Sequence, residues 1–179
     1  PRGGMILAQS ISDVTKKIQR SVFPGLQGGP MMHTIAAKAV CYFEALQPEF
    51  KSYQQQVILN AKQMAKAWQD KGFTVISGEP ACHMFLVSLS KCDLDGHQAQ
   101  ELLESLGVIC NKNSIPNDPL PPQRTSGLRL GMSAMTTLGM DAQQAYDLGQ
   151  HCADALLDTH KQSDLAIFVK QLLSSLRES

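Results

Sequence analysis

The sequence carries no net charge, with 16 Lys+Arg against 16 Asp+Glu. That argues against nucleic acid or an anionic membrane as its main partner, since both call for a basic field. No apolar run approaches membrane-spanning length, and no secretory pattern opens the chain, so the expected location is the cytoplasm. There is no C-x-x-C. The five cysteines, Cys41, Cys82, Cys92, Cys110 and Cys152, are odd in number and scattered, which fits the reduced thiols of a cytosolic protein. His83 follows Cys82, yet no second ligand pair stands at metal spacing, so no metal site is read. Flexible Gly/Ser-rich linkers and internal repeats are absent as well. What is present is 43% hydrophobic residues in a chain of 179, enough for one good core, or one full domain with part of another.

Along the chain, Met5–Ala8 is a short apolar run that reads as a buried strand, and because chains rarely start in mid-core, as the interior of a longer protein. Asp13–Val22 reads as a short helix with Val14 and Ile18 on one face. Val22–Pro30 is a loop with three glycines between two prolines. Thr34–Gln47 is helical through Ile35, Ala39, Phe43 and Leu46. From Glu49 to Lys71 the stripe Phe50, Tyr53, Val57, Ala61, Met64, Trp68 predicts the longest helix, stopped by Gly72. Phe73–Ile76 and Met84–Leu89 read as strands around a turn at Ser77–Pro80. Asp95 caps a helix with Gln98 placed for a capping box and Ala99, Leu102, Leu103 and Leu106 as its apolar face. Val108–Cys110 and Leu128–Leu130 complete four predicted strands. Asp141–Asp158 and a last helix capped by Ser163 follow.

Two stretches have the composition of ligand sites. In Leu128-Arg129-Leu130 the alternation puts both leucines on one face of a strand and Arg129 on the other. Thr125, Ser126, Gly127 and Gly131 flank Arg129 with small groups, and its guanidinium is a planar fork suited to a carboxylate. Ahead of it, Asn111–Gln123 combines stiff prolines with the amides of Asn111, Asn113 and Asn117. At Val22–Pro30, glycines that permit φ > 0 expose backbone N–H groups just before a helix, as phosphate-holding loops do. No Gly-Lys-Ser/Thr follows, and Gly28-Gly29 does not fit a dinucleotide fingerprint. His33, Lys112, the Met31-Met32 pair and Trp68 read as structural.

Three segments in unbroken order, Val22-Phe23-Pro24-Gly25-Leu26-Gln27-Gly28-Gly29-Pro30, Asn111-Lys112-Asn113-Ser114-Ile115-Pro116-Asn117-Asp118-Pro119 and Thr125-Ser126-Gly127-Leu128-Arg129-Leu130-Gly131, together resemble serine hydroxymethyltransferase, from Pro1 to about His160. The resemblance implies a pyridoxal-phosphate enzyme of the aspartate-aminotransferase-like α/β fold, a glycine hydroxymethyltransferase that interconverts serine and glycine with tetrahydrofolate as one-carbon carrier. It implies an obligate dimer. It makes Arg129 the ligand of the substrate carboxylate, and Gly28 and Gly29 donors to the cofactor phosphate across the dimer interface. Asn113 becomes a folate contact, with Pro121, Pro122 and Gln123 in the run that borders the folate. Pro1-Arg2-Gly3-Gly4 resembles the segment just after the cofactor-anchoring lysine, so no catalytic residue is assigned within the chain. Three runs depart from the family pattern: Ala81-Cys82-His83, Pro121-Pro122-Gln123 and Gly131-Met132-Ser133-Ala134.

The expected organisation is therefore residues 1–47 as a remnant of the large cofactor-binding domain, 48–72 as a connecting helix, and 73–179 as a small C-terminal α+β domain. Such a chain is expected to be inactive alone. It would work as a homodimer or paired with an N-terminal chain. Two alternatives stand beside this: a non-catalytic truncated or split-gene module that pairs with another chain, and part of another transferase of the same fold.

Overall fold

In the computed structural model, which describes residues 2–8 and 12–178 (backbone alone at Arg177 and Glu178), the chain divides into two units, Pro1–Lys51 and Ser52–Ser179. The first unit is helical. Helix α1 (Asp13–Arg20) starts from a capping box in which the Ser12 hydroxyl accepts from the Thr15 N–H and the Thr15 hydroxyl from the Ser12 N–H. Asp13 in its first turn and Arg20 in its last complement the helix dipole. A wide π-type turn, Ser21–Leu26, follows and is interrupted by the extended backbone of Phe23 before a cis Phe23–Pro24 bond. Helix α2 (Met32–Ala45) completes the unit.

No described residue of this first unit is buried. The strand expected at Met5–Ala8 is not formed. Those residues carry no regular structure, and Leu7 is 80% exposed. A strand apolar on both faces needs neighbours to pair its N–H and C=O groups and layers to cover it, and the described residues of this unit supply neither. Pro1, at the head of the Pro1-Arg2-Gly3-Gly4 segment, lies outside the described residues.

Helix α3 (Pro48–Asp70) spans the division between the units, and its stripe buries Val57, Ala61, Met64 and Trp68. Gly72 at φ 83° ends it. There the Phe73 N–H reaches back to the Trp68 carbonyl at 3.0 Å and the Gly72 N–H to that of Gln69 at 2.7 Å. The Phe73 and Trp68 rings meet edge-on, with centroids 5.0 Å apart. This is a Schellman closure with its hydrophobic contact.

The second unit then builds an antiparallel sheet in the order β1-β2-β4-β3 from β1 (Thr74–Val75), β2 (Met84–Ser88), β3 (Asn111–Asn113) and β4 (Gly127–Gly131). Phe85 pairs with Leu130, and Val87 with Leu128. All four are buried in one core with α3, α4 (Gly96–Ser105), α6 (Ala142–Leu157) and α7 (Gln162–Glu178). Helix α4 starts at the expected Asp95–Gln98 capping box, and α6 at another, Asp141–Gln144. A Cβ on Gly149 of α6 would stand 2.7 Å from the Ala67 Cβ of α3, so glycine sets how closely those helices pack.

Two further expected elements differ, and one helix has no counterpart among the expected ones. The strand read at Val108–Cys110 is displaced onto Asn111–Asn113, leaving Ile109 87% exposed. This strand is an edge, where polar residues are tolerated and apolar ones invite misassembly. Helix α7 begins at Gln162 after a short 3-10 turn, Thr159–Lys161, whose cap is Asp158 and not Ser163. The short helix α5 (Ser133–Thr137) was not foreseen. Among the described residues no helix is long and apolar enough to cross a membrane.

Candidate functional site

Alternation along β4 does what the sequence pattern predicts: Leu128 and Leu130 are buried, and Arg129 is exposed on the other face. Register places Leu86 of β2 and Asn111 of β3 on either side of Arg129 in one cross-strand row. Gly127 must be glycine, since a Cβ there would sit 2.6 Å from Ile115 Cγ2 and 2.9 Å from the carbonyl oxygens of Asn113 and Val87. One terminal nitrogen of Arg129 donates to Asn111 Oδ1 at 3.1 Å. Among the described residues no carboxylate lies within ion-pair range of Arg129.

Arg129 borders two concavities on this open face. One, of about 490 Å³, is lined by Ile76, Pro80, Cys82, Leu86 and Asn113 among others. The other, of about 430 Å³, is lined by His83, Met84, Ile109, Cys110, Asn111 and Gly131. Neither lining contains a lysine. Glu79, on the rim of the first, is ion-paired with Lys62. Burial, helped by the Glu104 charge, pushes the Cys110 thiol up to about 11, so it is neutral near pH 7. The face thus offers an unneutralised guanidinium that can hold a planar anion, and little else that is charged.

The Asn/Pro loop is organised by a residue the sequence reading left without a role. Asp118 accepts from the N–H groups of Ile115 (3.1 Å), Leu120 (2.9 Å) and Ser126 (2.9 Å), and from the Ser126 hydroxyl (2.6 Å). Burial works to raise its carboxyl, but these four donors outweigh burial and hold it at about 2. The loop is also docked on the start of α4. The N–H groups of Gly96 and His97 donate to the carbonyls of Thr125 and Arg124, and Arg124 Nε bonds Asp95 at 2.7 Å. Gly96 allows this approach, because a Cβ would collide with Thr125 Oγ1 and lie 2.8 Å from the Gly127 carbonyl.

The structure brings Arg129 and Asn113 to one concavity. Pro121, Pro122 and Gln123 are exposed in the turn before Arg124 and line neither concavity beside Arg129. Gly28 and Gly29 belong to the first unit. Neither uses the positive φ that glycine permits, and a Cβ on either would meet nothing within 4 Å. Both are exposed, and no packing among the described residues demands glycine there. Asn111, the hydrogen-bond partner of Arg129, is one amide among three in the sequence pattern; its place two residues before Asn113 on the same strand face is the signal that singles it out.

The serine hydroxymethyltransferase family model matches residues 1–152. Among similar proteins, Serine hydroxymethyltransferase 1 of Pseudomonas savastanoi pv. phaseolicola is 50% identical over 163 residues, covering 91% of this chain and 39% of its own length. Serine hydroxymethyltransferase of Psychrobacter sp. is 50% identical over 156 residues (87% and 37%), and that of Legionella pneumophila 45% over 178 (99% and 43%). The chain therefore spans about two fifths of the length of these relatives. Because the family match takes in the glycine pair, the Asn/Pro loop and the Arg129 strand together, the chain belongs to the serine hydroxymethyltransferase family and shares the fold of pyridoxal-phosphate-dependent transferases.

Proposed function

We propose that this chain supplies the amino-acid carboxylate site of a serine hydroxymethyltransferase, which interconverts serine and glycine with tetrahydrofolate as co-substrate. The observation that carries the proposal is Arg129, an arginine with no acidic partner among the described residues, held on an open sheet face beside two concavities. A carboxylate already paired with Arg129 would neutralise its charge and occupy its fork. An arginine that binds substrate must keep its fork free. In this reading Asn113, on the 490 Å³ concavity, contacts the folate, and Pro121, Pro122 and Gln123 border it.

Pyridoxal phosphate fits the bare loop at Gly28 and Gly29. Among the described residues nothing lies within 4 Å of where a Cβ on either would stand, and Met31, the N-cap of the following helix α2, makes no side-chain hydrogen bond, so the backbone N–H groups of Met32 and His33 are not capped by it and face a phosphate. When bound, the cofactor supplies the electron sink that serine–glycine interconversion needs. The chain's own residues then bind and orient: Gly28 and Gly29 hold the phosphate of a partner subunit's cofactor, and Arg129 fixes the substrate carboxylate. In domain terms, residues 1–47 belong to the large cofactor-binding domain, 48–72 connect, and 73–179 form the small domain.

Neither concavity beside Arg129 contains a lysine, and no lysine of the chain is buried. A covalent anchor needs a lysine desolvated or beside a cation, so we assign that role to polypeptide beyond this chain. The test is serine-dependent glycine formation with pyridoxal phosphate and tetrahydrofolate, assayed for the chain alone and with a polypeptide carrying the rest of the family's length. Activity only in the pair is expected. Turnover by the chain alone, with one lysine trapped stoichiometrically by borohydride, would overturn the division of labour.

A further inference from the structure

Arg129 sits between the two concavities, and the two asparagines of β3 are divided between them: Asn111 lines the 430 Å³ concavity and Asn113 the 490 Å³ one. Only Asn111 holds the guanidinium, accepting from one terminal nitrogen through Oδ1 at 3.1 Å. The Asn113 amide nitrogen is turned to the Ser114 carbonyl at 2.8 Å. The contact between Asn111 and Arg129 is built into the sheet, because register sets the two residues directly opposite, where cross-strand side chains meet. Strand β3 is itself pinned on its far side, where the Lys112 N–H donates to Gln100 Oε1 of α4 at 2.7 Å.

We infer that Asn111 is a positioning residue for the substrate carboxylate: a neutral acceptor that orients the Arg129 fork without discharging it. The inference rests on the reading of Arg129 as the carboxylate ligand. Its chemistry is particular to an amide. An aspartate at 111 would orient the guanidinium at least as firmly but would neutralise it and compete with the incoming carboxylate. An alanine would leave the charge free and release the long side chain to its other rotamers. The order of effects on ligand binding is therefore wild type, then Asn111→Ala, then Asn111→Asp, while the order of stability is not the same.

The test is a glycine titration of the full chain, followed by the side-chain Nε–Hε resonance of Arg129, which Arg129→Lys assigns by its loss. Binding to Arg129→Lys itself is read from the backbone amides of β3 and β4. Glycine affinity is expected to fall roughly 3- to 10-fold in Asn111→Ala, the range of one hydrogen bond, and further in Asn111→Asp. The thermal midpoint of Asn111→Asp should stay at or above that of wild type, since the exposed pair adds an attraction. A merely structural role for Asn111 would instead lower the midpoint in parallel with affinity. Without glycine, Asn111→Ala should already shift the Arg129 resonance. Affinity lost in Arg129→Lys but unchanged in both Asn111 variants would overturn the positioning role alone. Undiminished glycine binding in Arg129→Lys would overturn the carboxylate reading beneath it and the positioning role with it.

Discussion

The two units of this chain are written in similar amphipathic helices and end differently. In the first, Ile35, Ala39 and Phe43 recur at helical spacing, yet the helix that carries them buries nothing, and Phe43 is 67% exposed. In the second, Val57, Ala61, Met64 and Trp68 recur in the same way and are at most 2% exposed. Periodicity specifies a face; a core also needs a second layer to receive it. The second unit has one in its four-stranded sheet, whose inward residues Phe85, Val87, Leu128 and Leu130 meet the helices. The first has no strand among its described residues. One open face of the second unit, around Arg129, is exposed for a different reason: it is polar and concave, the form of a surface that takes a small ligand.

The largest effect should come from the filled core. Trp68 is fully buried, and truncating it to alanine leaves a cavity costing about 3–5 kcal/mol. Its indole N–H has no hydrogen-bond partner among the described residues, so Trp68→Phe removes an unpaired donor along with ring volume and should cost less than half as much. Because Trp68 is the one tryptophan, urea unfolding of both variants is followed by circular dichroism. Equal losses for the two would show that the site collapses around either residue.

Arg129→Lys sharpens the contrast between a core and a ligand face. It keeps the charge and gives up the two-pronged fork, so serine binding in the activity-competent pair should weaken by about 1.5–3 kcal/mol, with stability unmoved. Unchanged serine affinity would sink the assignment.

Glycines separate the units again. Gly96→Ala drives a Cβ into Thr125 and toward the Gly127 carbonyl, undocking the loop from α4 at roughly 1–3 kcal/mol. Gly28→Ala and Gly29→Ala meet nothing and should change stability by no more than about 0.5 kcal/mol, while weakening pyridoxal phosphate binding in the assembled enzyme. A stability loss at Gly28 matching that at Gly96 would mean the pair is structural.

What could be read from the sequence was what is local. The Asp95–Gln98 box is a three-residue relation, and the burial of Leu128 and Leu130 around an exposed Arg129 is a two-residue alternation; both are found as expected. Asp118 escaped because its role depends on a partner eight residues on, Ser126, which only the folded loop brings near. The third strand was misplaced because apolar Val108–Cys110 competed with polar Asn111–Asn113. Pairing with β4 decided for the polar run, an outcome a propensity scale does not hold. Met5–Ala8 failed for the opposite reason: its composition is that of a buried strand, but burial is a property of neighbours.

Asp118 gives a smaller, pH-dependent contrast. Its folded-state value, about 2, lies below the ordinary aspartate value near 3.9. Its contribution to stability is therefore present in full above about pH 5 and is lost as the pH falls through about 2. Asp118→Asn should lower the urea midpoint at pH 7, since one oxygen that accepted becomes a donor facing donors. It should also flatten the wild-type decline between pH 5 and 2. An unaltered decline would place that titration on another carboxylate, with Asp95, held down by the Gln98 N–H and Arg124, as the next candidate.

The smallest stability effect is expected where the surface is most apolar. Phe43→Ser and Ile35→Ser in α2 remove side chains that are 67% and 43% exposed, so little burial is lost and the unfolding midpoint should move by no more than about 0.5 kcal/mol. The change should appear in association instead. Leu7, Leu26, Met31, Met32, Phe43 and Leu46 are each more than half exposed, and apolar surface on this scale is normally covered by another chain. The unsubstituted chain should therefore self-associate with rising concentration, and the double variant should shift that equilibrium toward monomer. Light scattering at matched concentrations reads both. A clean monomer for the unsubstituted chain at high concentration would refute self-association through the first unit.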